Sequence, residues 1–564
     1  MTLSTDTQRV FVWAALAAVL FLNYITWQRD YPPAAAPAAQ TSAPAQSSRD
    51  ALPSLPSAAN KPAPSAAPPP TATTSQAAGT QAPAIHVVTD VLDLDISTRG
   101  GELTRADLRR YPKEKNRPNE PVRLFDTSGP TIYVARSGLR GPDGQSQPTH
   151  QTTFTAAKSD YRLRAGDGAL EVPLTWSDGY GVTVTKVYTF HPGSYRIDLS
   201  YRVQNESGSP WSAASYVQLL RHYEHIGRSM FNVETYAYRG PAVYDGKAYR
   251  KLNIENDEDR HYARQISGGW LAALQHHFVA AAVPVTNEAY QYQLNVTPSN
   301  DFSLSYVSPL HVVQSGTTQE FKEKLFVGPK LQEQLTATGP ELQRTADYGK
   351  LTIIAQPLFA TLEFVYGLVK NWGVSIILVT FLLKLVFYPL TAAGYRSMAK
   401  MRAVTPRIKA IQERYKDDRE QLGRSMMELY KREKINPLGG CLPMIVQIPV
   451  FLAFYWVLLE SVEMRQAPFF AWISDLSARD PFFILPLLMG AAMFAQFKLT
   501  PTPTTDPMQA KVFQFMPIVM TGMMAWFPAG LVLYWLTNTL LSIAQQWRIN
   551  QVVAGEAKTA KAKA

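Results

Sequence analysis

Hydrophobic and polar positions change their rhythm several times along the 564-residue chain. Residues 10–27 form an apolar run of 18 residues, just long enough to cross a bilayer. The run ends in Asn23-Tyr24-Ile25-Thr26-Trp27 rather than in the small residues of a cleavage site. Residues 1–30 are therefore expected to stay as a signal anchor. Residues 31–84 are mostly Pro, Ala, Ser and Thr, which predicts a disordered, semi-rigid spacer. From 85 to about 327 the period becomes two, within a domain expected to span 85–345. Tyr195, Ile197, Leu199, Tyr201 and Val203 alternate with Arg196, Asp198, Ser200 and Arg202, and Ser177-Asp-Gly-Tyr-Gly separates two such runs. This predicts one large antiparallel β-sandwich able to fold by itself. Residues 346–372 read as an amphipathic helix lying in the membrane interface. Five apolar runs follow, at 374–390, 441–459, 482–497, 512–527 and 529–547. With 10–27 they make six candidate spans. The expected fold class is a multi-domain membrane protein, an α-helical transmembrane bundle plus an outer antiparallel sandwich.

Charge orients these pieces. Residues 392–437 carry twelve Lys/Arg against six Asp/Glu, which places that loop in the cytoplasm. The basic tail 551–564, with Lys558, Lys561 and Lys563, falls on the same side. The 461–481 loop holds Glu463, Asp475 and Asp480 against Arg465 and Arg479, which fits the outside. Both termini are then cytoplasmic, and residues 31–345 lie outside. The 392–437 loop reads as a helical hairpin. Thr405-Pro406 fits an N-cap and first helical position, Ile408, Ile411 and Tyr415 form a stripe, Asp417-Asp418 makes the turn, and Leu422, Met426 and Leu429 line the return helix. Its cations Arg407, Lys409, Arg414, Lys416, Arg419 and Arg424 could dock a client chain, ribosomal RNA or anionic lipid. The net charge of +10 points the same way, and one cysteine excludes an intrachain disulfide and a Cys-based zinc module.

Lys384 stands about ten residues into the 374–390 run, so mid-bilayer is expected for it. A charge there costs at least about 2.5–3.5 kcal/mol and predicts a water-filled cavity. Thr380 lies one turn before it. Gln447, Gln496, Tyr534 and Trp535 sit in or at the ends of other runs and could keep that cavity wet. The C-terminal runs hold no Asp or Glu, and all nine histidines lie between 86 and 311. Proton relays normally need such groups within the membrane, which counts against an ion-coupled or small-solute transporter with an outer receptor domain. A lone cation in a wet cavity suits a transient anionic guest. Two of the runs are only about 16 residues long, so they would thin the bilayer locally. Moving a polar segment across a thinned barrier needs no catalytic nucleophile, so neither an enzyme nor a cofactor is expected. His222-x-x-His225 and His276-His277 lack carboxylates at ligand spacing, and no metal site is expected from them. A scaffold whose sandwich binds glycan or another protein is a third reading, but it leaves Lys384 unexplained.

Several strings are specific: Tyr388-Pro-Leu-Thr, Ser397-Met-Ala-Lys-Met-Arg, Asn436-Pro-Leu-Gly-Gly-Cys441, Gln466-Ala-Pro-Phe-Phe, Thr505-Asp-Pro-Met and Trp526-Phe-Pro-Ala-Gly-Leu-Val-Leu-Tyr-Trp. Their order over roughly 348–550 resembles the YidC membrane protein insertases of Gram-negative inner membranes, with a looser likeness over 85–345. The resemblance implies a five-helix insertase core at 373–550 with a hydrophilic groove open to cytoplasm and lipid, and a periplasmic β-supersandwich. It implies that Lys384 holds the place of the usual groove arginine, keeping the charge without the bidentate fork. It implies that Thr380, Tyr534 and Trp535 contact clients, Trp535 standing where tyrosine is common, and that Ile448 and Phe451 belong to a greasy slide. It further implies nascent membrane proteins as clients, the ribosome as their donor, and action alone or beside the Sec translocon. DNA is not among the expected partners.

Overall fold

The computed structural model describes residues 49–55, 82–129, 131–225, 227, 235, 237–415, 418–433, 442–499 and 507–563. The expected anchor at 10–27 lies outside the described residues, as does most of the 31–84 spacer.

Among the described residues, 84–329 build two sheets of eleven and nine strands. They pair antiparallel except where Ala84–Val88 meets Asp160–Arg162. The alternation read in the sequence is what packs them. In Arg196–Asn205, Ile197, Leu199, Tyr201 and Val203 are buried and pair in register with Val182–Phe190 and Thr317–Pro329. The expected turn closes at Asp178, whose carboxylate accepts from the backbone N–H groups of Tyr180 and Val182. Gly181 beside it has φ +107° and a backbone neighbour where a Cβ would stand, so only glycine fits. Trp211–His222 and Asp301–Val307 are buried along nearly their whole length. Their outer-face residues Ala214, Tyr216 and Val307 form a separate small cluster beneath Leu52 and Leu55. Part of the expected spacer is therefore seated on the sandwich.

After a short helix at Gln332–Thr338, eight helices follow among the described residues: α1 Thr352–Val369, α2 Trp372–Val386, α3 Tyr388–Arg414, α4 Arg419–Arg432, α5 Leu442–Glu460, α6 Ile484–Leu499, α7 Pro507–Met524 and α8 Ala529–Lys563. Among the described residues only α1 alone is long and apolar enough to cross a membrane, and α2 with 388–401 qualifies if read through a 68° bend. Helices α1, α2, α5, α6 and α8, with the end of α7, share one apolar core, but six separate spans do not emerge from length and hydropathy among the described residues. Helix α1 also differs from the amphipathic helix expected. It buries Ala355, Leu358 and Leu362, yet Ile353, Phe364 and Leu368 stand exposed, so both faces are apolar.

The expected 374–390 span breaks at Phe387, and α3 begins at once with Pro389 in its first turn. Proline lacks an N–H and its ring crowds the carbonyl four residues back, so an apolar run that reads as continuous cannot continue straight. Lys384 accordingly sits in the last turn of α2, not mid-helix. The hairpin is also corrected. No helix starts at Thr405, because Pro406 lies inside α3 and the Thr405 hydroxyl donates back to the Met401 carbonyl at 3.0 Å. Val404 and Ile408 pack with Met426, Leu429 and Tyr430, and that seam keeps the segment helical through the proline. Asp418 caps α4, accepting from the backbone N–H groups of Glu420 and Gln421. The 551–563 stretch is helical and continuous with α8.

Candidate groove between the helices

Helix α2 starts where Asn371 caps it, its side-chain oxygen accepting from Val374 N and its amide donating to the Phe469 carbonyl. Gly373 lies against the Phe469 ring at a distance no Cβ would allow. So fixed, α2 presents Thr380 and Lys384 to a groove completed by Thr391 of α3, Gln447 of α5, and Tyr534 and Asn538 of α8, with the apolar Leu383, Phe387, Leu390, Val446 and Val450 between them. Lys384 Nζ donates to Ser542 Oγ at 2.8 Å, and Ser542 Oγ donates to the Asn538 carbonyl at 2.7 Å. Gln447 Nε2 donates to Asn538 Oδ1 at 2.7 Å. Among the described residues no carboxylate pairs with Lys384. The Thr380 hydroxyl is satisfied by the Ile376 carbonyl at 2.6 Å.

Of the residues singled out from sequence, Lys384, Thr380, Gln447 and Tyr534 meet in this groove. Gln496 lies on α6, half-buried and not on the groove wall. Trp535 also stays off the wall and packs edge-on against Phe451 at 4.6 Å. Tyr534 lies between Phe451 and Phe454, with ring centroids at 5.8 and 4.5 Å. Ile448 is exposed next to Phe451 on α5, so the two form an apolar strip at the groove edge. Asn538, Ser542, Thr391 and Gln545 were missed. Gln545 Nε2 donates to Thr391 Oγ1 at 2.7 Å. The missing signal was the helical spacing of Tyr534, Asn538, Ser542 and Gln545 along an otherwise apolar run.

The hairpin cations divide. Arg407 pairs with Glu433 and Arg424 with Glu420, both at 2.6 Å, and Arg414 lies over the Tyr415 ring. Lys409 is exposed, and Lys416 lies outside the described residues. In the sandwich, His222 bonds Asp301 and His225 bonds Glu255. His276 and His277 stack at 3.8 Å and both donate from Nε2 to the Leu459 carbonyl near the end of α5. Burial holds His277 down to about 3, so it is neutral there.

Residues 364–556 match the family described as 60Kd inner membrane protein, and residues 84–361 match the YidC periplasmic domain. A membrane protein insertase YidC of Stutzerimonas stutzeri is 43% identical, with 98% of this chain and 100% of that protein covered. One of Thioalkalivibrio sulfidiphilus is 45% identical, covering 97% and 98%. The chain belongs to the YidC family. A crystal structure of active YidC insertase with the first transmembrane domain resolved covers 83% of this chain and 92% of its own, at 18% identity and TM-score 0.36. A galactose mutarotase related enzyme of Lactobacillus acidophilus covers 43% and 97%, at 8% identity and TM-score 0.29. Both scores fall below 0.5, and membership rests on the sequence relatives. YidC membership makes this a membrane protein with a periplasmic domain, built here as the two-sheet sandwich.

Proposed function

We propose that this chain is a membrane protein insertase and chaperone that moves segments of nascent membrane proteins from the cytoplasm through the Lys384 groove into the bilayer. The observation that carries this reading is Lys384 itself, a cation at the end of a short apolar helix, held by a neutral hydroxyl in a groove of mixed polar and apolar lining. A charge so placed costs free energy on insertion and gains its return when an anionic or strongly polar guest enters. The apolar strip of Ile448 and Phe451 beside it offers a path to lipid. In this reading the spans α2 with the start of α3, α5, α6, α7 and α8 join 10–27, α1 lies at the outer interface, both termini and the α3–α4 hairpin are cytoplasmic, and residues 31–345 are periplasmic. The exposed cations of the hairpin serve ribosome and anionic lipid, and the Sec translocon acts beside the chain for some clients. A transporter gains no support: the relatives carry insertase names, and the groove wall holds no carboxylate or histidine among the described residues.

Photo-crosslinkers placed singly along 374–390 and challenged with a stalled nascent membrane protein test the reading. Positions 380 and 384 should crosslink strongly, and the outward-facing 382 and 386 weakly. Equal or weaker crosslinking at 380 and 384 would remove the groove from the mechanism.

A further inference from the structure

Residues 49–55 lie in a stretch whose composition promises no fixed structure, yet the sandwich grips them mainly by their backbone. Arg136 donates to the Arg49 carbonyl at 2.6 Å and Gln151 to the Asp50 carbonyl at 2.6 Å. Gln218 reaches the Ala51 carbonyl at 3.5 Å, and Arg140 donates to the Pro53 carbonyl. Four of five successive carbonyls thus accept from side chains of the sandwich. Donors aimed at main-chain carbonyls hold any extended chain, while pockets for particular side chains add selectivity.

Selectivity is built in as well. Arg49 Nε donates to Asp301 at 2.6 Å, and Asp301 is fully buried beneath it. The Asp50 carboxylate accepts from Arg136 at 2.9 Å. Pro53 is buried, and Leu52 and Leu55 cover Ala214, Tyr216 and Val307. Without residues 49–55 the sheet would show water an apolar patch rimmed by two arginines, a surface suited to a polypeptide ligand.

We propose that this face of the sandwich is a binding site for an extended polypeptide segment of the pattern acidic-x-apolar-Pro-x-apolar, kept filled in the resting chain by residues 50–55 with Arg49 as an added clamp. A strap on the same chain competes at an effective concentration of roughly millimolar. A segment of a second polypeptide therefore binds when it outcompetes the strap or when the strap is pulled away.

The test uses the full-length chain in detergent and a full-length variant with residues 49–55 replaced by a Gly/Ser sequence of equal length. The probe is a fluorescein-labelled peptide of residues 47–57, read by anisotropy. The strap-replaced chain should bind it saturably, and the unaltered chain at least roughly tenfold more weakly, as the tethered competitor requires. In the strap-replaced chain, peptides carrying Leu52→Asp with Leu55→Asp, or Asp50→Lys, should each lose at least roughly tenfold. These changes alter only the ligand, so no variant sandwich has to fold for them. Arg140→Gln, which removes the donor to the Pro53 carbonyl, should also lose affinity at unchanged melting temperature. No saturable binding to a strap-replaced chain that melts like the unaltered one overturns the proposal. Equal binding by both chains, or by a scrambled peptide, overturns it too, since charge attraction alone would then explain the signal.

Discussion

Lys384 is held by a partner too weak to keep it. A hydroxyl such as Ser542 offers a neutral hydrogen bond worth about 0.5–1.5 kcal/mol, whereas a charged acceptor offers about 1.5–3 kcal/mol. In the mechanism proposed above, a guest carboxylate would displace Ser542 from Nζ. Lys384→Arg should keep insertion, because the charge remains. Lys384→Ala should slow clients with acidic translocated segments by roughly tenfold, the loss of one charge-assisted contact, and clients with apolar segments far less. Pulse-chase protease protection of the two client types reads the difference, and equal losses would make the residue structural. Inside the sandwich, Glu323 is fully enclosed and accepts from the Ser215 and Tyr306 hydroxyls, each at 2.7 Å. Burial pushes it up to about 7, from an ordinary glutamate near 4.5. The folded state then binds more protons than the unfolded one between those values, so this group's contribution to stability is full below pH 4.5 and falls as pH rises to 7. Glu323→Gln should remove that slope. Its melting temperature minus that of the unaltered chain should rise from pH 4.5 to 7 and level off above, and a flat difference would refute the assignment.

At the level of elements, the hairpin stands on its apolar seam and not on its ion pairs. Arg407–Glu433 is largely exposed, and such pairs contribute at most about 1 kcal/mol. Val404 and Ile408 are nearly fully covered, and burying one such side chain is worth about 1.5–3 kcal/mol. Ile408→Asp should therefore open the hairpin, seen as faster proteolysis near 415–418 and reduced insertion, while Arg407→Gln should change proteolysis little. The reverse ranking would show that charge holds the arms together. The same elements show why some structure was legible and some was not. The sandwich strands were readable because a sheet with one inward face writes its burial as alternation, as in 195–203. The cover over Ala214 and Tyr216 was not, because Leu52 and Leu55 are two apolar residues in a Pro/Ala background. The hairpin existed in the pattern of Ile408 and Met426, but its start was misplaced at Thr405 because the tertiary seam outweighs the local signals of Thr-Pro. The α2–α3 break was hidden because hydropathy counts Pro389 only as a weakly polar residue and ignores its missing N–H. In the groove, Lys384 announced itself as a charge. Asn538 and Ser542 are neutral and ordinary one at a time, and only their shared helix face gives them away.

Sandwich and bundle are not merely strung together. Val462, just past α5, is counted within the sandwich core. Arg465 donates to the Pro112 and Lys113 carbonyls, the two imidazoles grip the Leu459 carbonyl, and Lys330 faces Glu460 at 3.9 Å with both side chains buried. Lys251 lines the same cavity but is engaged by Asp347. Helix α5 carries Gln447 into the groove, so the sandwich grips the far end of a groove helix. Yet every groove-wall residue comes from α2, α3, α5 and α8 or, as Phe387, from the break between α2 and α3. Removing the sandwich frees the end of α5 into water, where Glu460 and the Leu459 carbonyl are solvated. Removing only the Lys330 ammonium leaves Glu460 buried beside a partner that is occupied elsewhere, and an orphaned buried charge costs about 3–5 kcal/mol. A point change should then do more harm than a deletion. A chain joining residue 30 to residue 346 should still insert small clients, whereas Lys330→Met in the intact chain should lower the melting temperature and impair insertion. Adding Glu460→Leu to Lys330→Met should restore both, because the pair is then replaced by apolar contact. If the deletion abolishes insertion while its helices remain assembled, and Lys330→Met is harmless, the sandwich acts in the insertion step itself and does more than hold α5.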